Sequence, residues 1–529
     1  VADHRDLDPQ PDQQADSHED RRCPRPSPLR PDTVGHDQRA DSLSSAGHAF
    51  SQTPNIDRLA REGVTFANAF TVQPICAPSR FAVFSGQYER VSGLGFNSPY
   101  QVSQAQWQLT YPALFREAGY YTGFIGKFGV QFYSVDGGAP AQFDYWRAHD
   151  GWLPFWPKDL PDNPATHIYR DAEHDITTEI MGEYIEEFLD TRPDGVPFNL
   201  SVSFSAPHNS VVSTMYPEGA DPDCDRYGCK VMGYPANENP RLAGHPVYDQ
   251  LYRDKDVRAP QDTGTDPYRF IPEGVIDHEA RKQWYDYNYY PDLEPEHLIR
   301  YHQNVTGIDQ VVGQLVEKLD RLGVADNTII IYSSDHGLLN GEYGTGGKAL
   351  LYDLVTKIPL IIYDPRVAPA EREGDVSDLV LNIDVPATML SYAGIAPPES
   401  MQGRDLNSEQ SRRDEVFLES LTVSEGNPFI EAVRTSDWKY VRYMPKFGCP
   451  YTEDDLDFSQ QQPIFEQLFD LRSDPGERVN LVETEAHAAV LERFRERIRV
   501  RSSELTARGR QFKEDLPVQL RPEEKVYCW

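Results

Sequence analysis

Short apolar runs alternate with amphipathic stretches along most of this chain, and that rhythm constrains the fold more than any other feature. Strand-type runs stand at Val64–Phe70, Tyr121–Ile125, Pro197–Phe204, Asn327–Ser333 and Pro359–Tyr363. Helical stretches fall around Ile56–Arg61, at Tyr111–Ala118 before Gly119, at Asp175–Asp190, and at Leu298–Leu322 before Gly323. In the third of these, Ile180, Met181, Tyr184, Ile185 and Leu189 recur at helical spacing. Strands that alternate with helices predict an α/β fold with a mainly parallel central sheet and helices on both faces. Such folds gather ligands at the C-terminal ends of their strands.

Two regions break the rhythm. Residues 209–297 are rich in Pro, Tyr, Asp and Gly and read as a long loop insertion. From about residue 405 the texture changes to short strands at Glu415–Leu421, Phe429–Arg434, Trp438–Tyr443 and Phe465–Leu471, then a charged helix at 484–508. This predicts a smaller α+β C-terminal domain over 405–529, after a catalytic domain over 36–404. Residues 1–35 form an atypical polar N-terminal segment. Up to residue 34 it has scarcely an apolar residue and reads as disordered.

A formal net charge of −33 argues against nucleic-acid binding and against anionic membranes. No apolar run is long enough for a membrane-spanning helix. The six cysteines are too few for a disulfide scaffold, but Cys224 with Cys229, and Cys449 with Cys528, would suit two bridges. Bridges point to a periplasmic or secreted protein, although residues 1–20 show no signal peptide.

Chemistry-bearing residues follow the strands. Cys76-Ala77-Pro78-Ser79-Arg80 opens a helix after a turn, with Arg80 one turn from Cys76 and able to hold an anion or steady a nucleophile. A chance C-x-P-x-R is expected in roughly a few per cent of such chains. Lys127 ends the strand at Gly126, and His208 follows the strand that closes at Ala206. His208 could donate a proton to a leaving oxygen or serve as an ordinary loop histidine. Ser334-Asp335-His336-Gly337 follows NTIIIYS and sets a carboxylate beside an imidazole, either metal ligands or a polar turn. Small residues at Gly346 and Gly347 let Lys348 reach an anion closely. Asp37 offers a further carboxylate near the start. Together these supply what an anionic ester requires: a nucleophile, cations around its oxygens and an acid for the leaving group.

The order of TPNIDRLAREGVTFANAF, CAPSR, GYYTGFIGK, APH, SSDHG with GGK, and FDLRSDPGERVNL resembles the type I sulfatases of the alkaline-phosphatase-like superfamily, from about residue 36 to 482. The resemblance implies a sulfuric ester hydrolase whose Cys76 is oxidised to formylglycine by dedicated machinery. It implies a calcium ion, with magnesium or manganese as alternatives, held by Asp37, Cys76, Asp335 and His336. It implies that Arg80 supports the formylglycine, that Lys127 and Lys348 bind the sulfate, and that His208 protonates the leaving oxygen. One hydroxyl of the hydrated aldehyde would attack sulfur, and the other would then expel sulfate.

Two positions depart from the family pattern. His36 stands where a first aspartate belongs, after a polar stretch instead of an apolar strand. One reading is that residues 1–35 are not the native reading of the gene; if they are native, the central sheet lacks a strand and the metal site lacks a carboxylate. Gly129 stands where a histidine usually helps eliminate sulfate. Tyr- and Trp-rich residues in 145–160 and 209–297 read as a sugar-binding cleft, so a sulfated polysaccharide or oligosaccharide is the expected substrate. The alternatives are a phosphonate or phosphate monoester hydrolase, an aryl or choline sulfatase, or a catalytically impaired binding protein.

Overall fold

The computed structural model describes residues 31–521 except 131, 133, 134, 152, 216–240, 277–293, 368–373, 423–426, 446–448, 453, 459, 460 and 517. Eight strands form the central sheet: β1 Pro31–Gly35, β2 Val64–Phe70, β3 Tyr121–Lys127, β4 Tyr145–His149, β5 Phe198–Ser203, β6 Ile330–Ser334, β7 Leu360–Tyr363 and β8 Asp375–Leu381. Their order across the sheet is β8-β2-β7-β6-β1-β5-β3-β4. β6, β1, β5, β3 and β4 are parallel neighbours. β7 alone runs antiparallel to its two partners, β6 and β2.

The expected missing strand is present. β1 lies at the centre of the sheet, with Val34 opposite Ser203 of β5 and Ser333 of β6. Ladder hydrogen bonds use the backbone, so a segment poor in apolar residues can still fill the slot between two strands. Residues 1–30 lie outside the described residues, as do Cys224, Cys229 and Cys528. Cys449 is disulfide-bonded. Besides β1, two strands are not evident in the sequence, β4 and β8, because both begin with exposed or half-exposed residues that break the apolar run.

Helices cover both faces. On one, α1 (Pro54–Glu62), α3 (Thr177–Thr191) and α4 (Glu294–Arg321) pack Ile56, Ile180, Ile185, Phe188, Val305 and Ile308 in one core with Leu200 of β5. On the other, α2 (Cys76–Ser85) and α5 (Asp384–Tyr392) pack Phe81, Phe84 and Met389 with Phe124 of β3. Truncating a core aromatic such as Phe188 to Ala costs about 3–5 kcal/mol. A second, antiparallel sheet runs β9 Val416–Ser420, β10 Ile430–Arg434, β11 Trp438–Tyr443 and β12 Phe465–Asp470. The long helix α6 (Ala488–Asp515) covers it through Leu491, Phe494 and Ile498.

Several of the described aromatic residues read as a sugar cleft belong to the core, while Trp152 and the aromatic residues of 216–240 and 277–293 lie outside the described residues. Trp146 stacks on Phe124 and Phe155 meets Trp156 edge-on. Phe155, Trp156, Tyr248 and Tyr252 are all buried. Aromatic rings stabilise interiors and bind sugars with the same apolar faces, so composition does not separate the two uses.

Candidate active site

Register brings the chemistry to one edge. Gly35 lies opposite Ser334, Ser203 opposite Gly126, and Lys127 opposite His149, so the C-terminal ends of five parallel strands form a row. His36 and Asp37 leave β1, Asp335 and His336 leave β6, and His208 follows β5. Helix α2 enters this row from the side with Cys76 in its first turn. It is buried almost all round and closes on Gly86, whose left-handed backbone (φ 67°) returns an N–H to Ala82.

At the centre, ligand-type atoms of His36, Asp37, Cys76, Asp335 and His336 all lie within 4.8 Å of one another. His36 Nδ1 is 2.8 Å from Asp335 Oδ2 and 3.1 Å from Asp37 Oδ1. His336 Nε2 is 3.2 Å from Asp37 Oδ1 and 3.8 Å from Asp335 Oδ2. His336 Nδ1 donates to Gly337 O at 2.9 Å, which leaves the Nε2 lone pair turned toward the carboxylates. Neither His36 Nδ1 nor His336 Nε2, both buried, has a hydrogen bond of good geometry. The His336 lone pair, facing a carboxylate across about 3 Å, is repelled unless a proton or cation stands between them. The donor set therefore fits a divalent cation.

Cations ring the thiol. Lys348 Nζ donates to Cys76 Sγ at 3.1 Å and to the two Asp37 oxygens at 2.9 and 3.2 Å. Lys127 Nζ is 2.5 Å from His36 Nε2, which in turn is 3.7 Å from Cys76 Sγ. Arg80 donates to Asp335 Oδ2 at 3.1 Å, to Lys127 O at 2.8 Å and to Ser203 Oγ, so it braces the row from beneath. Ser79 Oγ donates to Asp335 O at 2.6 Å. His208 Nδ1 accepts from the Ser210 N–H at 3.1 Å, so its proton sits on Nε2, 3.7 Å from Asp37 Oδ2. Its ring stacks on His36 with centroids 4.5 Å apart.

This company sets the charges. Burial pushes the Cys76 thiol up, but Lys127 and Lys348 outweigh it and hold it well below its usual value. Burial likewise opposes ionisation of Asp37 and Asp335. His36 and Lys348 overcome it at Asp37, and His336, His36 and Arg80 at Asp335, so both carboxyls are held well below the usual range. Burial lowers His36, yet Asp335 and Asp37 raise it to about 9. Lys127 is depressed by burial, with Arg80 and Lys348 pushing the same way, while Lys348 is raised because Asp37 outweighs burial. His208 is driven well below its usual value by burial.

Every site residue expected from the sequence falls in this cluster. His36, read as a gap in the metal site, is one of its central side chains. Ser79, Ser203 and His149 were not read. His149 is buried at the end of β4, its Nε2 3.2 Å from Ser205 Oγ, and burial with Lys127 lowers it to about 3. Its strand-end position was the available signal, hidden because β4 itself was unread. At Gly129 the backbone is left-handed (φ +65°) and a Cβ would lie 3.2 Å from Arg80 Cδ. Glycine suits that turn, so no side chain enters the site from position 129.

A buried nucleophile among three cations, beside a cluster able to hold a metal, is the equipment of a hydrolase acting on an anionic ester. The sulfatase family model matches residues 34–395, and the chain belongs to that family of sulfuric ester hydrolases. A model described as the C-terminal part of N-sulphoglucosamine sulphohydrolase matches residues 341–504. The N-acetylglucosamine-6-O-sulfatase of Bacteroides thetaiotaomicron is 28% identical over 404 residues, 70% of this chain and 68% of that one. A structure solved with its substrate D-glucosamine-2-N,6-O-disulfate superposes with a TM-score of 0.60 at 21% identity, covering 93% of this chain and 99% of that one. The phosphonate monoester hydrolase of Agrobacterium radiobacter superposes with a TM-score of 0.64 at 18% identity, covering 91% and 96%. The fold is thus alkaline-phosphatase-like. Among the described residues no helix is long and apolar enough to cross a membrane.

Proposed function

We propose that this chain removes sulfate from a sulfated carbohydrate, using Cys76 after its oxidation to formylglycine by partner machinery. The observation that carries this is the convergence of Lys127 and Lys348 on Cys76, with Arg80 bound to the neighbouring Asp335, within a sulfatase-family chain. The named activity of the Bacteroides relative, on a sulfated amino sugar, supports the carbohydrate substrate. Formylglycine would supply a hydroxyl nucleophile and a divalent cation would polarise the ester oxygens.

The chain's own residues do the rest. Lys348 sits on the nucleophile and on Asp37 together, so its ammonium can also hold a sulfate oxygen. Lys127 holds a second oxygen and steadies the His36 ring. Arg80 and Ser79 fix Asp335, which keeps the cluster in register. His208 presents Nε2–H to the leaving oxygen, its orientation set by Ser210. The division into a catalytic part over 36–404 and a smaller part over 405–529 goes with this reading, and the bridge at Cys449 favours an exported protein.

The mass of the Cys76 peptide together with a panel of sulfate and phosphate esters tests the proposal. Conversion to formylglycine lowers that peptide by about 18 mass units relative to cysteine. Release of sulfate from sugar sulfates is the expected result; an unmodified, inert protein would sink it. The second reading, a phosphonate or phosphate monoester hydrolase, draws on the Asp335-His336 pair and the likeness to the Agrobacterium enzyme. The same panel separates the two by which ester turns over faster.

A further inference from the structure

Calcium is a hard cation that takes six to eight oxygen ligands. The sulfatase resemblance implies calcium here, and the donor set does not fit it. Of the five clustered ligand groups only Asp37 and Asp335 bring carboxylates. Two bring imidazole nitrogens, and both nitrogens are buried without a good hydrogen bond and turned to the same point. The four separations between an imidazole nitrogen and a carboxylate oxygen run from 2.8 to 3.8 Å. Donors held at ~2.0–2.1 Å around one tetrahedral ion stand about 3.3 Å apart, inside that interval. Spacing marks the place of an ion, and the nitrogen donors select its kind: imidazole suits zinc, iron and cobalt, whereas calcium prefers carboxylate and carbonyl oxygen.

Outer contacts point the same way. A metal-binding histidine normally hydrogen-bonds through its other ring nitrogen, which orients the ring. His336 does so through Nδ1, which donates to Gly337 O at 2.9 Å, while the His36 ring is held in place by Lys127 Nζ, 2.5 Å from its Nε2. Asp335 Oδ1 is held by the N–H groups of Asp37 and His336 at 3.0 and 2.9 Å, so Oδ2 is the oxygen left to face the centre.

We propose that the cation of this site is an imidazole-accepting first-row ion of the zinc or iron type, ligated by His36 and His336 with Asp37 and Asp335, and not calcium. The inference builds on the active-site assignment but not on turnover. The test uses the untagged full chain stripped with a chelator, then given zinc alone or calcium alone. Bound metal is counted by mass spectrometry and the zinc-loaded protein is examined by X-ray absorption. About one equivalent of zinc is expected with scattering from two imidazoles, and calcium should bind at least about tenfold more weakly. Stoichiometric calcium binding of comparable strength, or a zinc shell without imidazole, overturns the proposal. His36→Asp should gain calcium affinity by about tenfold or more; if that variant fails to fold, the absorption spectrum of the wild-type chain still decides. A chain that binds zinc through two histidines but cleaves no sulfate ester would leave this inference standing and defeat the proposed function alone.

Discussion

Two of the groups of buried charge among the described residues are finished differently. Where α6 meets the second sheet, Arg90 donates to Glu419 at 2.5 Å and to Glu431, and Arg442 donates to Glu431 at 2.7 Å. Ser502 and Thr506 take the remaining reach of Arg90 at 3.0 and 3.1 Å. Two arginines face two glutamates, and none of their polar atoms is left without a partner. At the strand ends the charges are as deeply buried, yet His36 Nδ1, His336 Nε2 and Arg80 Nε have no good hydrogen bond. Burial of charge alone therefore says little about function. A closed network holds two parts of the fold together; an open one keeps unspent bonding capacity for something the chain does not itself provide.

The contrast can be broken from either side. The largest effect is expected at the open cluster: Cys76→Ala or Cys76→Ser should lower kcat/KM for a sulfate ester by at least about 10³-fold, since the nucleophile itself is lost. The thermal midpoint should scarcely move, and full activity in either variant would sink the formylglycine reading. Lys348→Ala and Lys127→Ala should each cost about 10²–10³-fold, the scale of removing one stabilising charge from a transition state. Steady-state kinetics on the same ester measures it, and a loss below tenfold would mean that sulfate is held elsewhere.

The closed network should answer in stability and not in turnover. Arg90→Met leaves Glu431 and Glu419 short of a buried partner and should cost about 3–5 kcal/mol by denaturant unfolding, with kcat unchanged in the folded fraction. A fall in kcat at unchanged stability would contradict the division drawn above. The smallest effect is a slope. Burial raises Glu89 to about 8, against a lowering hydrogen bond from Tyr451, and its Oε2 has no partner. A carboxyl with a raised folded value binds its proton more tightly in the native state. Its contribution is therefore complete below the ordinary value near 4.5 and is lost as pH rises through about 8. Glu89→Gln keeps the Tyr451 contact and should flatten the fall in stability between those limits. Unfolding curves at the two ends of the window show whether it does.

Much of the site was legible along the chain because parallel strands end in the residues that matter. Lys127, His208, Asp335 and His336 each close or follow an apolar run, and Lys348 follows a pair of glycines. What was not legible depended on neighbours distant in sequence. β1 is a strand because β5 and β6 flank it, and no apolar period announces it. Trp156 and Phe155 look like sugar-binding residues until Tyr248 and the sheet are set against them. His36 looks like a defect until Asp335, about three hundred residues away, is found 2.8 Å from its ring nitrogen.

By itself the sequence determined the layered α/β architecture, the helix that carries Cys76 and the identity of the groups that surround it. Those follow from local periodicity and from which residues end a strand, and both are written in consecutive positions. Only the tertiary structure decided that β1 fills the centre of the sheet, that His36 is a member of the metal-type cluster, and which nitrogens there are left without partners. These depend on register between strands remote in the chain, which packing sets and no local pattern encodes.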